Sequence, residues 1–297
     1  MLTILLSTLQ QTLIFLPLAL GVYLSYDVLM VTDLTVEGTF VLGAAIFARL
    51  TSLGCNQIIS IIAGLLGGVI IGICVTIMQR VAKINSLIAG ILAVFMLYSV
   101  NFGVMNRPNI SLLNSHIFLQ HLQDYYPHML TFFLIGFILL ISAALCIFLH
   151  SQTGLYCRAF GNSPHLLKKL GKNPAVYLCI GLSLSNMLAA LCGIMTAQID
   201  GYADISMGLG MALTAIGAVV IGKKLISGIF KSDRFSALIG IAGCLLGAFI
   251  YFLIFNILLD IGINPIYLKL LLGLMLVAFL STAHYTKQRG ELYATAD

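Results

Sequence analysis

Apolar runs long enough to cross a bilayer follow one another along this chain, and the polar breaks between them are short. About 20 apolar residues in a helix span the hydrocarbon. Backbone in lipid must satisfy its own hydrogen bonds, so each run is expected to be helical. The runs fall at 5–26, 38–53, 57–79, 84–105, 129–150, 175–197, 207–222, 235–259 and 264–284. The expected fold is therefore an all-α polytopic membrane protein of about nine transmembrane helices. The second and seventh runs are short, which leaves eight or ten open. Composition agrees: 60% of residues are hydrophobic and 8% charged, against about 25% charged in a soluble domain. No polar block is long enough for a second domain, so residues 1–297 are read as one transmembrane domain. Leu5 to Tyr26 has no basic residue before it and no small-residue cleavage site, so it reads as a retained span rather than a signal peptide.

Lys and Arg sort by side. Arg80 and Lys83, the group from Arg158 to Lys172, then Lys223, Lys224, Lys231 and Arg234, and finally Lys287 and Arg289 fall on one face when the spans alternate. Only Arg49, Arg107 and Lys269 lie on or near the other. Basic loops stay cytoplasmic. The expected N-terminus is outside and the C-terminus inside the cell membrane. The net charge of +5 then reflects loop placement and not nucleic-acid binding.

Two acidic, glycine-bearing stretches break the apolar pattern. One is Asp33-Leu-Thr35-Val-Glu37-Gly38, and the other Asp204-Ile-Ser206-Met-Gly208-Leu-Gly210. Each places an acid, an aliphatic residue and a hydroxyl ahead of glycine and a short apolar span. The first is expected to begin at the inner side and the second at the outer side, the arrangement of an inverted repeat. An acid in hydrocarbon costs roughly 2.5–3.5 kcal/mol by insertion scales unless paired or wet. Unwound backbone is tolerated only where protein buries it or a cavity wets it. These residues therefore either frame a solute pathway with half-helices, or Asp33 and Glu37 simply cap the second span.

Other features carry less. Asn106 to His128 is the longest external segment and holds His116, His121, Asp124 and His128. Its spacing matches no metal signature, Pro127 would interrupt a helix, and Tyr125 and Tyr126 suit an interfacial anchor. No metal or other cofactor is expected. The seven cysteines are scattered without CxxC and are expected to be buried free thiols. Small residues recur at Gly64, Gly68 and Gly72, and at Ser236, Gly240, Gly243 and Gly247. Such faces admit close helix approach, within one subunit or between two. No GxxxxGK[ST], HExxH or GxSxG occurs, so the chain is not expected to be an enzyme or to hold ATP itself.

The most charged compact stretch is the loop 151–174, SQTGLYCRAFGNSPHLLKKLGKNP. Pro164 to Gly171 reads as a two-turn helix with proline at its start and glycine as its stop. Leu166, Leu167 and Leu170 form one apolar stripe on it. By spacing alone the loop is either a topology signal or a docking surface.

Thr153, Gly154, Arg158, Ala159, Gly161 and Gly171 match the pattern TGxxxRAxGxNxxxAxxxGIN, with Asn162 and Asn173 at or next to its Asn positions. This stretch resembles the permease subunits of bacterial ABC importers of the branched-chain amino acid and ribose superfamily. DLTVEGTFVLGAA and GYADISMGLGMALTAIGAVVIGKK are similar to the tryptophan/tyrosine-type branch. Asp27 and Pro164 depart from that branch.

The resemblance implies a homodimeric core in the bacterial inner membrane, an ATPase subunit that hydrolyses ATP, and a periplasmic or lipid-anchored solute-binding protein. It implies that the loop carries a coupling helix, with Arg158, Ala159, Gly161, Asn162, Leu166, Leu167, Leu170, Gly171 and Asn173 meeting the ATPase. Gly161 is expected to take positive φ and turn the chain toward that helix. The solute implied is an amino acid, of the aromatic type of the branch it resembles; a sugar or nucleoside permease, or an ion-coupled carrier, is the alternative.

Overall fold

The computed structural model describes residues 2–113, 117–229 and 236–263, and the single positions 267, 270, 273, 274 and 277. Helix α1 (Leu2–Val22) continues into a π-helix (Tyr23–Val28). Then come α2 (Val36–Ser52), α3 (Gln57–Arg80), α4 (Ser86–Met105), strand β1 (Asn109–Ser111), α5 (Phe118–Tyr125) and α6 (Pro127–His150). After these follow α7 (Gln152–Asn162), α8 (Pro164–Lys169), α9 (Pro174–Asp200), β2 (Tyr202–Asp204), α10 (Met211–Ile229) and α11 (Ser236–Asp260).

Among the described residues, six helical segments are long and apolar enough to cross a membrane: Ile4–Val28, Gln57–Arg80, Ser86–Met105, Pro127–His150, Pro174–Asp200 and Ala237–Asp260. The chain is thus a mainly helical, multi-pass membrane protein, with one short β1–β2 pair. The expected second and seventh runs correspond to α2, of 17 residues, and α10, which carries Lys223 and Lys224. The expected ninth run, 264–284, lies outside the described residues apart from isolated positions.

Local sequence explains the helix ends. Asn56, Asn85 and Asn173 each accept a hydrogen bond from the backbone N–H two residues on, capping α3, α4 and α9. Left-handed Asn106 and Gly201 end α4 and α9.

Contacts gather the chain into two compact units, Leu13–Ile216 and Met1–Thr12 with Gly217–Asp297. The first is built on α2, α3 and α9. Helices in lipid gain little from hydrophobicity, since the tails are as apolar as leucine, so packing and polar contacts must hold them. A Cβ on Gly68 of α3 would stand 2.7 Å from the Asn186 carbonyl oxygen of α9. Gly64 and Gly72 lie against Ile194 and Ser183 of the same helix. The glycine face of α3 therefore serves packing within one chain. In the second unit, Gly243 and Gly247 of α11 lie against Gly222 and Ala218 of α10. There Asn256 Nδ2 donates to Gln11 Oε1 at 2.8 Å and Thr8 Oγ1 at 3.1 Å.

Two expectations need correction. Residues 152–162 form an 11-residue helix where the glycines suggested turns. Ser151 caps it, and Gly154 sits where a Cβ would strike Phe148 and Leu149 backbone. Pro127 interrupts the helix as expected: α5 ends at Tyr125 and α6 begins at Pro127, a position where its missing N–H costs nothing. The cysteines are free, as expected, but only Cys157, Cys192 and Cys244 are buried; Cys55 and Cys74 are exposed.

Candidate solute pathway and coupling surface

The first broken segment lies beside the middle of α9. Asn186, near the midpoint of α9, donates from Nδ2 to Asp33 Oδ2 at 2.9 Å and to the Leu182 carbonyl at 3.0 Å. Thr39 donates to Asn186 Oδ1 at 2.7 Å. Asp33 Oδ1 accepts the Thr35 N–H at 2.9 Å, just ahead of α2. Asp33 is only 3% exposed, and Thr35, Thr39 and Asn186 are fully buried. Gly38 offers its carbonyl to Asn101 Nδ2 at 3.1 Å, and the Leu97 side chain fills the space where a Cβ would go. Asp33 is therefore held between Thr35 and Asn186, while Glu37 points elsewhere.

Glu37 reaches the second broken segment. Its Oε1 accepts the Gly210 N–H at 3.1 Å across 173 residues of chain. A Cβ on Gly208 would lie 2.6 Å from the Glu37 carbonyl oxygen, so only glycine allows this approach. Asp204 sits in β2, opposite Asn109 of β1. Its carboxylate accepts from the Ser206 hydroxyl and N–H, and these bonds hold its pKa below the usual carboxylate value. Ser206 is thereby turned to its own segment. A carboxyl with a depressed pKa stabilises its turn above the ordinary Asp pKa, and that support is lost as pH falls through the folded value.

Beside this corner, Asn109, Ser111, Leu113, Asp200, Gly201 and Tyr202 line an open recess of about 300 Å³. The sequence reading missed Asp200 and Tyr202, and also Thr39, Asn101 and Asn186. Asparagine inside an apolar run was the available signal for the last two, because a polar group at membrane depth must find a partner.

At the other end of α9 lie α7 and α8. Leu167 is fully buried, whereas Leu166 and Leu170 are 48% and 57% exposed. The three leucines thus do not share one role: Leu167 anchors α8 and the other two face outward. Gly171 has φ +69° and stops the helix as expected, with the Lys172 N–H bonding Leu167 O at 2.9 Å. Arg158, Ala159, Gly161 and Asn162 lie in α7, and Asn173 caps α9. Gly161 is helical and not a positive-φ turn; it is needed because a Cβ there would collide with the Val28 carbonyl oxygen. Burial of Cys157 raises its thiol pKa to about 11, so it stays protonated and inert. His121 stacks on Tyr125 at 4.7 Å. Among the described residues no three His, Cys, Asp or Glu side chains converge on a metal position, and His116 lies outside them.

Residues 4–280 match the family model described as the branched-chain amino acid transport system / permease component. The chain belongs to this permease family. The permease is 48% identical over 280 residues to an uncharacterized protein of Rickettsia prowazekii, covering 94% of this chain and 97% of the relative. It is 30% identical over 279 residues to the tyrosine transport system permease protein of Clostridioides difficile, covering 94% and 90% respectively. No solved structure matches it. The permease is accordingly an ABC-type transport subunit of the membrane, not an enzyme, in a family whose members work with ATPase and binding-protein partners.

Proposed function

We propose that the chain imports an amino acid, of the aromatic type that the tyrosine permease relative is named for, through a pathway bordered by its two broken segments. Glu37 bound to the Gly210 N–H is the observation that carries this reading, because it joins two interrupted stretches from distant parts of the chain. Asp33, Thr35 and Gly38 shape one wall from behind, and Asp204, Ser206, Gly208 and Gly210 the other. The inverted repeat and the nine spans belong to the same reading. ATP hydrolysis by a partner ATPase drives the cycle, two copies form the core, and a binding protein delivers the solute. Leu166 and Leu170 are the apolar contacts offered to the ATPase. An ion-coupled carrier is less well supported, since Asp33, the buried acid it would use, is held by Thr35 and Asn186.

Replacing Glu37 with alanine removes a charge-assisted hydrogen bond worth about 1.5–3 kcal/mol. Uptake of radiolabelled tyrosine should fall at least about tenfold, while membrane insertion and ATPase binding are retained. Wild-type uptake after removal of both Asp33 and Glu37 would reduce these acids to caps.

The orientation has its own test. In a background lacking the seven native cysteines, a thiol at Ser163 should react only with reagent inside the cell. One at Leu113 should react only from outside. Labelling of both from one side would contradict the assigned topology.

A further inference from the structure

The stretch from Tyr23 to Thr32 belongs to neither the pathway residues nor the coupling surface, yet it adjoins both. Its π-helix is closed by the Leu29 N–H on Leu24 O at 3.0 Å, and the Val31 N–H then bonds Ser25 O at 2.9 Å. Single π turns inside α-helices are uncommon and often mark functional sites. Met30 follows with φ +55°, a left-handed conformation that a side chain adopts only at a cost. Met30 is also 62% exposed, so its packing does not hold that conformation.

On one side of this stretch lies α7. Gly161 is seated so closely on the Val28 carbonyl that a Cβ there would collide with it and stand 3.1 Å from the Leu29 carbonyl carbon. On the other side, a Cβ on Gly181 of α9 would meet Leu29 Cδ1 at 2.5 Å. A Cβ on Gly90 of α4 would lie 3.0 Å from the Leu34 nitrogen. The stretch therefore has no room to yield in place: a push from α7 must move it or be resisted. Three residues past Met30, Asp33 holds the Thr35 N–H just ahead of α2, whose Glu37 holds Gly210.

From this packing we infer that Gly161, Val28 and Leu29 are positioning residues that transmit displacement of α7–α8 to the Glu37–Gly210 corner, with the strained Met30 as the point of rotation. The inference rests on the ATP-driven import proposed above. Movement of the outward-facing Leu166 and Leu170 would carry α7, and α7 would press the Val28 carbonyl. The linker would then turn the N-terminal end of α2, making or releasing the Gly210 bond. A packed interface of this kind shifts between discrete arrangements and does not deform smoothly.

The test uses the full permease reconstituted in lipid with its ATPase and binding protein. Gly161→Ala wedges a methyl group between α7 and the linker. It should lower solute imported per ATP hydrolysed by the assembled complex at least about fivefold. Leu29→Ala gives the linker room against Gly181, and the double variant should recover at least half of the lost ratio. An unchanged ratio in Gly161→Ala, or independent losses in the double variant, overturns the inference. Should Gly161→Ala not assemble, a nitroxide on Met30→Cys provides the second reading. Its mobility should change when a non-hydrolysable ATP analogue binds, and an unchanged spectrum likewise overturns it. Absence of ATP-dependent import in the unmodified complex would instead fault the proposed function.

Discussion

A carboxylate placed at Leu167 is expected to separate ATP hydrolysis from transport. Helix α8 has six residues, far fewer than the roughly 12 at which an isolated helix becomes even marginally stable in water. It must be held by packing, and Leu167 is its one fully buried leucine. Burying an ionised carboxylate without a partner is costly enough that the group neutralises or leaves the site. In Leu167→Asp the helix should therefore detach from its seat. Leu166 and Leu170 would keep their chemistry but lose their aim. Solute-stimulated ATPase activity of the assembled complex should drop at least about tenfold, and the protein should still insert. If assembly and stimulation stay at wild-type levels, residues 151–174 are a topology signal and nothing more.

Gly193→Val is expected to act on the fold itself. The Gly193 Cα faces the Phe40 carbonyl of α2, and any Cβ there collides with that oxygen. Gly43 makes the matching approach to Ala190. Backbone atoms cannot rotate away as a side chain can, so the helices must separate. Overpacking typically costs about 1–3 kcal/mol, and here it would also pull Thr39 off Asn186 and loosen the hold on Asp33. The yield of folded protein in mild detergent should fall sharply and the remainder should melt several degrees lower. Gly136→Ala supplies the contrast, because nothing lies within 4 Å of a Cβ at that position. It should be neutral or stabilising, since alanine favours helix by about 1 kcal/mol over glycine. Equal effects at the two sites would contradict the α2–α9 packing.

The apolar runs made the helical membrane fold legible, because length and hydropathy decide what lipid permits. The two broken segments were legible too, as acids and glycines where hydrocarbon disfavours them. Their contact was not, because nothing local in either stretch records that Glu37 meets Gly210. The neighbours of Asp33 were hidden for a related reason. Asp33 could be read as an interfacial cap or an intramembrane acid, and only its bond to Asn186 places it beside the middle of α9. Helix α7 was hidden by Gly161, which read as a turn but serves close approach. The leucine stripe of α8 was seen as one surface, although burial divides it into an anchor and two outward residues.

The central claim is that import is driven by ATP through a partner and not by an ion gradient through the chain's own acids. Its most direct test is tyrosine uptake by proteoliposomes holding the permease, its ATPase and its binding protein, with ATP supplied and every ion gradient collapsed by ionophores. The account predicts accumulation that needs ATP and the ATPase and is unchanged by the ionophores. Uptake that continues without ATP and stops when the gradients collapse would contradict it.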